Sequence, residues 1–199
     1  MKQAANIAAV AELRPDYLGF IFYRKSPRYI SEVSAELIKY VPQQIKTVGV
    51  FVDEDLETLK ALVANHALKA VQLHGNETVD FCKQIKQTGV EVIKAFGVHA
   101  GFDFGMLQAY EPVVDYFLFD TQTPAHGGSG KVFDWTLLKN YTLAKPYFLS
   151  GGIDSSIISI LAAQNTKQQI QTLSVSFKEH AYDESRYQKL IQQQINSNQ

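Results

Sequence analysis

The regular alternation of short strand-like runs with longer helical stretches constrains the fold of this chain most. Seven runs are rich in β-branched and aromatic side chains: residues 17–23, 45–52, 69–74, 91–96, 115–120, 146–150 and 170–176. Each precedes a stretch with the spacing of an amphipathic helix: residues 32–41, 56–66, 78–87, 104–110, 135–141, 155–163 and 183–195. Strands that are joined through helices run parallel, so the pattern predicts a series of βαβ units.

The segment at residues 3–13 predicts a helix that no strand-like run precedes. Seven parallel strands fit either an open doubly wound sheet or a (β/α)8 barrel that lacks one strand. Such an open sheet usually carries a glycine-rich turn after an early strand, and this sequence has none there. Polar residues and glycines instead follow nearly every run, which is typical of a barrel site. We therefore predict one α/β domain over residues 1–199, a (β/α)8 TIM barrel whose first β-strand is missing from this chain, with a frayed tail at 192–199.

Composition and charge exclude several classes of partner. The 199 residues are 46% hydrophobic, and 19 Lys and Arg balance 20 Asp and Glu. The chain has enough apolar material for a core but no cationic excess, so we expect it to bind neither nucleic acid nor a membrane. The single cysteine, Cys82, forbids an internal disulfide and favours a reducing, cytoplasmic location. Because His99, His126 and His180 lack the spacing of metal ligands, we expect no metal.

Three side chains at the ends of predicted strands could carry chemistry. Asp120 ends an apolar run, where partial desolvation suits a general acid, although it could equally cap the following loop. Arg28 follows the first run, and its planar guanidinium suits a carboxylate or a phosphate, although a basic surface turn is the commoner role. His74 ends the third run and could position a substrate or exchange a proton, although a structural histidine is more frequent.

Two glycine-rich loops follow the fifth and sixth runs. The loop at 127–131 reads Gly-Gly-Ser-Gly-Lys, includes Gly128 and lacks the spacing of a nucleotide-binding motif. Gly151 and Gly152 stand just before a predicted helix, where free backbone N–H groups suit a phosphate. Two such loops after late strands favour a phosphate site over plain turns, because phosphate sites of barrels usually form there.

Eight segments form an ordered set along the chain: residues 19–23 (GFIFY), 25–30 (KSPRYI), 48–52 (VGVFV), 71–75 (VQLHG), 120–124 (DTQTP), 127–131 (GGSGK), 133–135 (FDW) and 149–152 (LSGG). Together they resemble the phosphoribosylanthranilate isomerase family. The resemblance extends from about residue 1 to residue 165, and the stretch at 119–135 is its most specific part.

The resemblance implies a barrel enzyme of tryptophan biosynthesis that uses no cofactor and no metal. Its reaction is an Amadori rearrangement, an aldose–ketose isomerisation of N-(5-phosphoribosyl)anthranilate to 1-(2-carboxyphenylamino)-1-deoxyribulose 5-phosphate, formally an intramolecular oxidation and reduction. It implies that Asp120 is the general acid, that Arg28 pairs with the anthranilate carboxylate and that His74 lines the site. The remaining implied substrate-binding positions are Gly128, Gly151, Gly152 and Ser176.

The chain departs from the family pattern at two places. The family begins with a strand ending in Cys-Gly, whose cysteine is the general base, whereas Met1 falls just after that position. Cys82 lies within a predicted helix and is not expected to replace that base. The last run lacks the family's aspartate, although Ser176 and Glu179 align with its other polar positions.

These departures leave three hypotheses open. The chain is an isomerase with a truncated start, a divergent barrel that binds a sugar phosphate without catalysis, or another phosphosugar isomerase. The retained Arg28 and the block at 120–135 disfavour the third. In a barrel without its first strand, inward side chains such as Leu18 and Phe20 would lose packing partners, so we expect self-association through the unpaired strands at 17–23 and 170–176.

Overall fold

The computed structural model describes residues 4–31, 36–121 and 135–150. Within them lies a parallel sheet in which each of six strands pairs with the next along the chain. The strands are β1 (Tyr17–Ile21), β2 (Lys46–Phe51), β3 (Ala70–Leu73), β4 (Glu91–Val98), β5 (Tyr116–Thr121) and β6 (Tyr147–Leu149). The first six predicted strands are confirmed, and their ends shift by two residues or fewer.

Four α-helices connect or precede these strands in the described residues. They are α1 (Ala4–Glu12), α2 (Leu56–Asn65), α3 (Val79–Lys86) and α4 (Leu107–Tyr110). The Asp55 carboxylate accepts hydrogen bonds from the N–H groups of Glu57 and Thr58, which defines the start of α2. The Thr78 hydroxyl accepts from the N–H of Phe81 and starts α3 in the same way.

Several predicted helices are instead short 3₁₀ turns. The described part of the stretch predicted at 32–41 is a 3₁₀ helix, Glu36–Tyr40, and the helix predicted at 135–141 is the 3₁₀ helix Trp135–Asn140. The segment at 104–110 begins as 3₁₀ helix, Phe104–Met106, before α4, and Glu111–Val113 adds another turn. In segments this short, few added hydrogen bonds offset the cost of nucleating an α-helix, and short pieces of chain commonly take 3₁₀ geometry instead.

Side chains alternate between two faces of the sheet, and the helices cover one of them, which we call the helix face. Its core includes Leu18, Phe20, Phe51, Val71 and Phe117 from the strands and Ile7, Leu59, Cys82, Ile85 and Leu107 from the helices. The opposite face carries a smaller cluster of Val48, Ala70, Ile93, Ala95 and Leu118, against which Tyr17, Tyr116 and Phe148 pack. The expectation that Leu18 and Phe20 point into a barrel interior is wrong, because Tyr17 takes the opposite face and alternation then turns both toward the helices.

The strand order separates the two architectures that the sequence left open. A doubly wound sheet reverses its strand order and places helices on both faces. Here the order runs β1 to β6 without reversal, and the described helices pack on one face. The doubly wound alternative is therefore wrong for the described part of the chain, which is a singly wound parallel α/β half-barrel.

Several predicted elements near the end of the chain lie outside the described residues. The strand predicted at 170–176, the helices at 155–163 and 183–195, and the tail at 192–199 lie outside the described residues. Among the residues that are described, no helix combines the length and the apolar character needed to cross a bilayer.

Candidate active site

The carboxyl ends of β3 and β5 bring His74 and Asp120 together. The His74 Nε2 atom lies 3.5 Å from Asp120 Oδ2, and the two side chains are 22% and 15% exposed. Between them runs β4, whose Gly97 pairs with Asp120 and contributes no side chain. This gap lets an imidazole and a carboxylate from non-adjacent strands meet on the face opposite the helices.

Gln72 extends this pair along β3. Its Nε2 atom lies 3.1 Å from His74 Nδ1, and both side chains are partly buried. Gln72 points to the same face as Ala70, two residues earlier, as strand alternation requires. Gln72, His74 and Asp120 therefore form a continuous polar row at the carboxyl edge of the sheet.

A buried ion pair supports the loop that carries His74. Lys94 Nζ lies 3.0 Å from Glu77 Oε2, and each side chain is only 2% exposed. The same ammonium donates to the carbonyl oxygens of Leu73 at 3.3 Å and Gly75 at 2.9 Å, which flank His74 in sequence. Lys94 thus fixes the backbone on both sides of the histidine from the helix face.

Glu77 joins this loop to the end of β2. Its carboxylate accepts hydrogen bonds from the N–H of Gly75 and from the N–H of Asp53 at 3.1 Å. Asp53 has a positive φ of 49°, and its carboxylate accepts from the N–H of Asn76 at 2.5 Å. A methyl group on Gly75 would lie 2.6 Å from the Asp53 nitrogen, so the two loops are in close contact. The ends of β2 and β3 are therefore joined to each other and, through the Glu77–Lys94 pair, to β4.

Arg28 lies in the loop beyond β1, at the same edge of the sheet. Its side chain is exposed, and its backbone N–H donates to Ser26 Oγ at 3.2 Å. The loop returns to the sheet through a bridge between Ile21 and Tyr29 and a hydrogen bond from the Ile30 N–H to the Ile21 carbonyl. Among the described residues, no hydrogen bond or ion pair joins the Arg28 guanidinium to His74 or Asp120. The structure therefore brings together two of the three described candidates and leaves the third on the rim.

The other predicted site positions and Cys82 lie away from the His74–Asp120 pair in the sequence. Gly128, Gly151, Gly152 and Ser176 lie outside the described residues. Cys82 is fully buried in α3 on the helix face, and burial raises the pKa of its thiol to about 11. In the described ranges no cluster of three or more His, Cys, Asp and Glu side chains is arranged to hold a metal ion.

Sequence reasoning missed Gln72, Glu77 and Lys94. A usable signal existed for Lys94, because a lone lysine interrupts the otherwise apolar centre of β4 and a buried charge needs a partner. Nothing in the sequence singled out Glu77 as that partner among the 20 acidic residues.

The fold is a singly wound parallel α/β sheet, and its site places a carboxylate and an imidazole at the carboxyl ends of the strands. Barrel enzymes carry their active sites at this position, so the protein belongs to that class. Comparison with known proteins identifies the family within this class of enzymes. Residues 1–176 match the family model described as N-(5'-phosphoribosyl)anthranilate (PRA) isomerase.

Individual relatives agree with that match. An N-(5'-phosphoribosyl)anthranilate isomerase of Phocaeicola vulgatus is 39% identical over 161 residues, covering 81% of this chain and 77% of the relative. The crystal structure of phosphoribosyl anthranilate isomerase from Thermotoga maritima is 34% identical with a TM-score of 0.68, covering 80% of this chain and 78% of that one. The enzyme from Thermus thermophilus, at 21% identity and a TM-score of 0.72, covers 100% of this chain and 96% of its own and supports the fold. The chain belongs to the phosphoribosylanthranilate isomerase family.

Proposed function

We propose that Asp120 is the general acid of phosphoribosylanthranilate isomerisation in this chain, the function to which its family membership assigns it. The observation that carries this role is the meeting of Asp120 and His74 at 3.5 Å on the carboxyl edge of a parallel sheet. A carboxylic acid at this edge can donate a proton to the ring oxygen of an aminoaldose phosphate. The ring C1–O bond then breaks, and the anilino nitrogen supplies the electron pair that forms the Schiff base.

The second half of the reaction needs a base. Loss of the C2 proton turns the protonated Schiff base into an enolamine, which tautomerises to the aminoketose, so no oxidant or reductant is required. Cys82 does not suit this role, because it lies on the helix face and its thiol has a pKa raised to about 11. We propose that the base is the cysteine of a Cys-Gly strand next to β1, the position that the family resemblance implies for it.

Substrate binding in this proposal follows the chemical groups of the substrate. In this proposal Arg28, which is exposed in the loop beyond β1, pairs with the anthranilate carboxylate. The glycine loops with Gly128, Gly151 and Gly152, together with Ser176, take the phosphate. These assignments rest on the family resemblance of the surrounding segments.

The proposed architecture is a (β/α)8 barrel formed by one domain. Support comes from the unreversed strand order and from Val48, Ile93 and Leu118 on the face opposite the helices, because branched aliphatic side chains dominate the inside of such barrels. In the described sheet β1 has a neighbour on one side only, β2. We propose that the given chain associates with copies of itself through this edge, and that the strand with the cysteine suppresses the association.

The proposal includes a cytoplasmic location. A phosphorylated substrate does not cross a bilayer unaided, and a single unpaired thiol suits a reducing compartment.

The test compares two chains with the same substrate. One is the sequence as given, and the other is the same sequence preceded by a Lys-(Val/Ile)-Cys-Gly strand. Loss of N-(5'-phosphoribosyl)anthranilate is followed by its fluorescence. We expect the extended chain to be faster by at least about 10²-fold, the lower end of what one general base contributes. Equal rates would refute the assignment of the base, and sugar-phosphate binding without turnover in both chains would indicate a non-catalytic barrel.

A further inference from the structure

We infer that Gln72 is a positioning residue that selects the tautomer of His74 and directs its Nε2–H toward Asp120. The functional part of this inference rests on the proposed role of Asp120. The geometric part stands on the polar row at the carboxyl edge of the sheet.

The two ring nitrogens of His74 face different neighbours, Gln72 and Asp120. A neutral imidazole carries one N–H donor and one acceptor nitrogen. Gln72 Nε2, an amide donor, lies 3.1 Å from His74 Nδ1, so Nδ1 must be the acceptor. The proton of the neutral ring is then on Nε2, the nitrogen that faces Asp120 Oδ2 at 3.5 Å. The hydrogen bond on the far side of the ring thereby favours the tautomer that presents an N–H to the acid.

The loop that carries His74 is held in place by backbone hydrogen bonds. A tautomer is selected only if the ring cannot turn away from the group that selects it. Lys94 holds the carbonyls of Leu73 and Gly75 on either side of His74, and the His74 N–H donates to the Phe51 carbonyl at 2.9 Å. The histidine backbone is therefore fixed from both neighbours and from β2. Gln72 therefore acts on a ring whose point of attachment to the backbone is fixed.

The tautomer of His74 has a consequence for Asp120. A carboxylic acid that has given its proton to the substrate becomes an anion, and an N–H donor aimed at that anion stabilises it. At 3.5 Å the contact is long for a hydrogen bond, and catalytic contacts of this kind commonly tighten when substrate is bound. With the opposite tautomer, a lone pair on Nε2 would face the carboxylate and repel it. Gln72 thus favours the charge state that Asp120 reaches after proton transfer.

The test reads the tautomer directly and requires no turnover. The given chain is prepared with ¹⁵N-labelled histidine, and its five histidines are distinguished with a His74→Asn variant. Two-bond ¹H–¹⁵N spectra are recorded at about pH 8.5, where an ordinary histidine is neutral. We expect Nδ1 of His74 to give the signal of an unprotonated nitrogen and Nε2 that of a protonated one.

Two substitutions then change the selecting group. Gln72→Leu removes the donor and should leave a mixture of both tautomers. Gln72→Glu replaces the donor with an acceptor and should move the proton to Nδ1. Gln84→Glu, an exposed change on α3, is the matched control for added charge and should leave the His74 signals as they are. A wild-type ring protonated on Nδ1, or a Gln72→Glu ring that keeps the wild-type pattern, would overturn the inference.

An activity measurement separates this inference from the proposed function. In the extended chain, Gln72→Leu should lower kcat about 10-fold and change KM little, a part of the 10²–10⁴-fold that a general acid contributes. If the tautomer is as inferred but neither Gln72→Leu nor Asp120→Asn alters kcat, the assignment of the acid fails and the geometric inference stands. If Asp120→Asn lowers kcat and Gln72→Leu does not, the proposed function stands and the positioning role of Gln72 is refuted.

Discussion

Lys94 and Glu77 form an ion pair that is almost completely buried under the loop with His74, with 3.0 Å between Nζ and Oε2. The ammonium also donates to the backbone carbonyls of Leu73, Gly75 and Ala95. The carboxylate accepts from the N–H groups of Asp53 and Gly75, so the pair connects the ends of β2 and β3 to the middle of β4. The pair connects the core on the helix face to the loop that carries His74, which belongs to the polar row on the opposite face.

Breaking this pair should destabilise the protein strongly. Lys94→Met leaves the Glu77 carboxylate buried without its counter-charge, and we expect the free energy of unfolding to fall by about 3–5 kcal/mol. Urea unfolding followed by circular dichroism measures the change. Lys60→Met is the control, since its 2.8 Å pair with Glu57 lies on the surface and should cost about 0.5 kcal/mol. Similar losses for the two variants would contradict the description of a buried pair.

The close contact between Gly75 and Asp53 gives a second prediction. In Gly75→Ala the new methyl group would lie 2.3 Å from Asp53 Oδ1 and 2.6 Å from the Asp53 nitrogen, and the backbone atom cannot swing aside. We expect a loss of about 1–3 kcal/mol, the range for an overpacked site. In Gly101→Ala the nearest atom is His99 Cε1 at 3.5 Å, an ordinary contact, so this variant should unfold like the wild type. Thermal melts of the two variants decide the matter.

The buried thiol of Cys82 makes the stability depend on alkaline pH. Because burial raises its pKa from 9.0 to about 11, the folded protein holds this proton more tightly than the unfolded chain. The resulting stabilisation is fully present below pH 9 and is lost as the pH rises toward 11. Between pH 9 and about pH 11, the free energy of unfolding of Cys82→Ala should therefore fall by about 2 kcal/mol less than that of the wild type.

The same thiol should be unreactive in the folded protein. At about pH 8 few molecules carry the thiolate, and the side chain is inaccessible, so labelling with iodoacetamide should await unfolding. Fast labelling of the folded chain, or a Cys82→Ala variant of the extended chain that folds but has lost activity, would contradict the structural role given to this residue.

Arg28 should affect one part of the substrate only. In the extended chain, Arg28→Ala removes a charge-assisted pair with the anthranilate carboxylate, and we expect KM to rise about 10- to 100-fold with little change in kcat. Inhibition by ribose 5-phosphate, which lacks the carboxylate, should be unaffected. Arg24→Ala, an exposed neighbour in the same loop, is the control. Equal weakening toward both ligands would assign Arg28 to the phosphate instead.

The sequence predicted the six described strands because runs of β-branched and aromatic residues between helical stretches leave few other structures. It predicted the wrong face for Leu18 and Phe20, because an alternating pattern that is apolar on both faces fixes the period of a strand but not its orientation. The short 3₁₀ segments were also missed, since apolar spacing does not reveal that a helix ends after one or two turns.

The candidate site was predicted in a similarly partial way. His74 and Asp120 could be expected at one edge, because parallel strands align their carboxyl ends. Their direct approach depends on Gly97 in the strand between them, and the buried partners Glu77 and Lys94 come from different units of the fold. Such contacts follow from sheet register and loop packing, which no local pattern in the sequence encodes.

The role of Asp120 is tested most directly by Asp120→Asn in the chain that carries the Cys-Gly strand. This change keeps the shape of the side chain and removes its acidic proton, so kcat should fall by about 10²–10⁴-fold. Affinity for the aminoketose product should stay within about 3-fold, because the acid acts in the transition state. Asp80→Asn on the exposed side of α3 is the control and should leave kcat unchanged. An Asp120→Asn variant that isomerises N-(5'-phosphoribosyl)anthranilate at the wild-type rate would contradict the account.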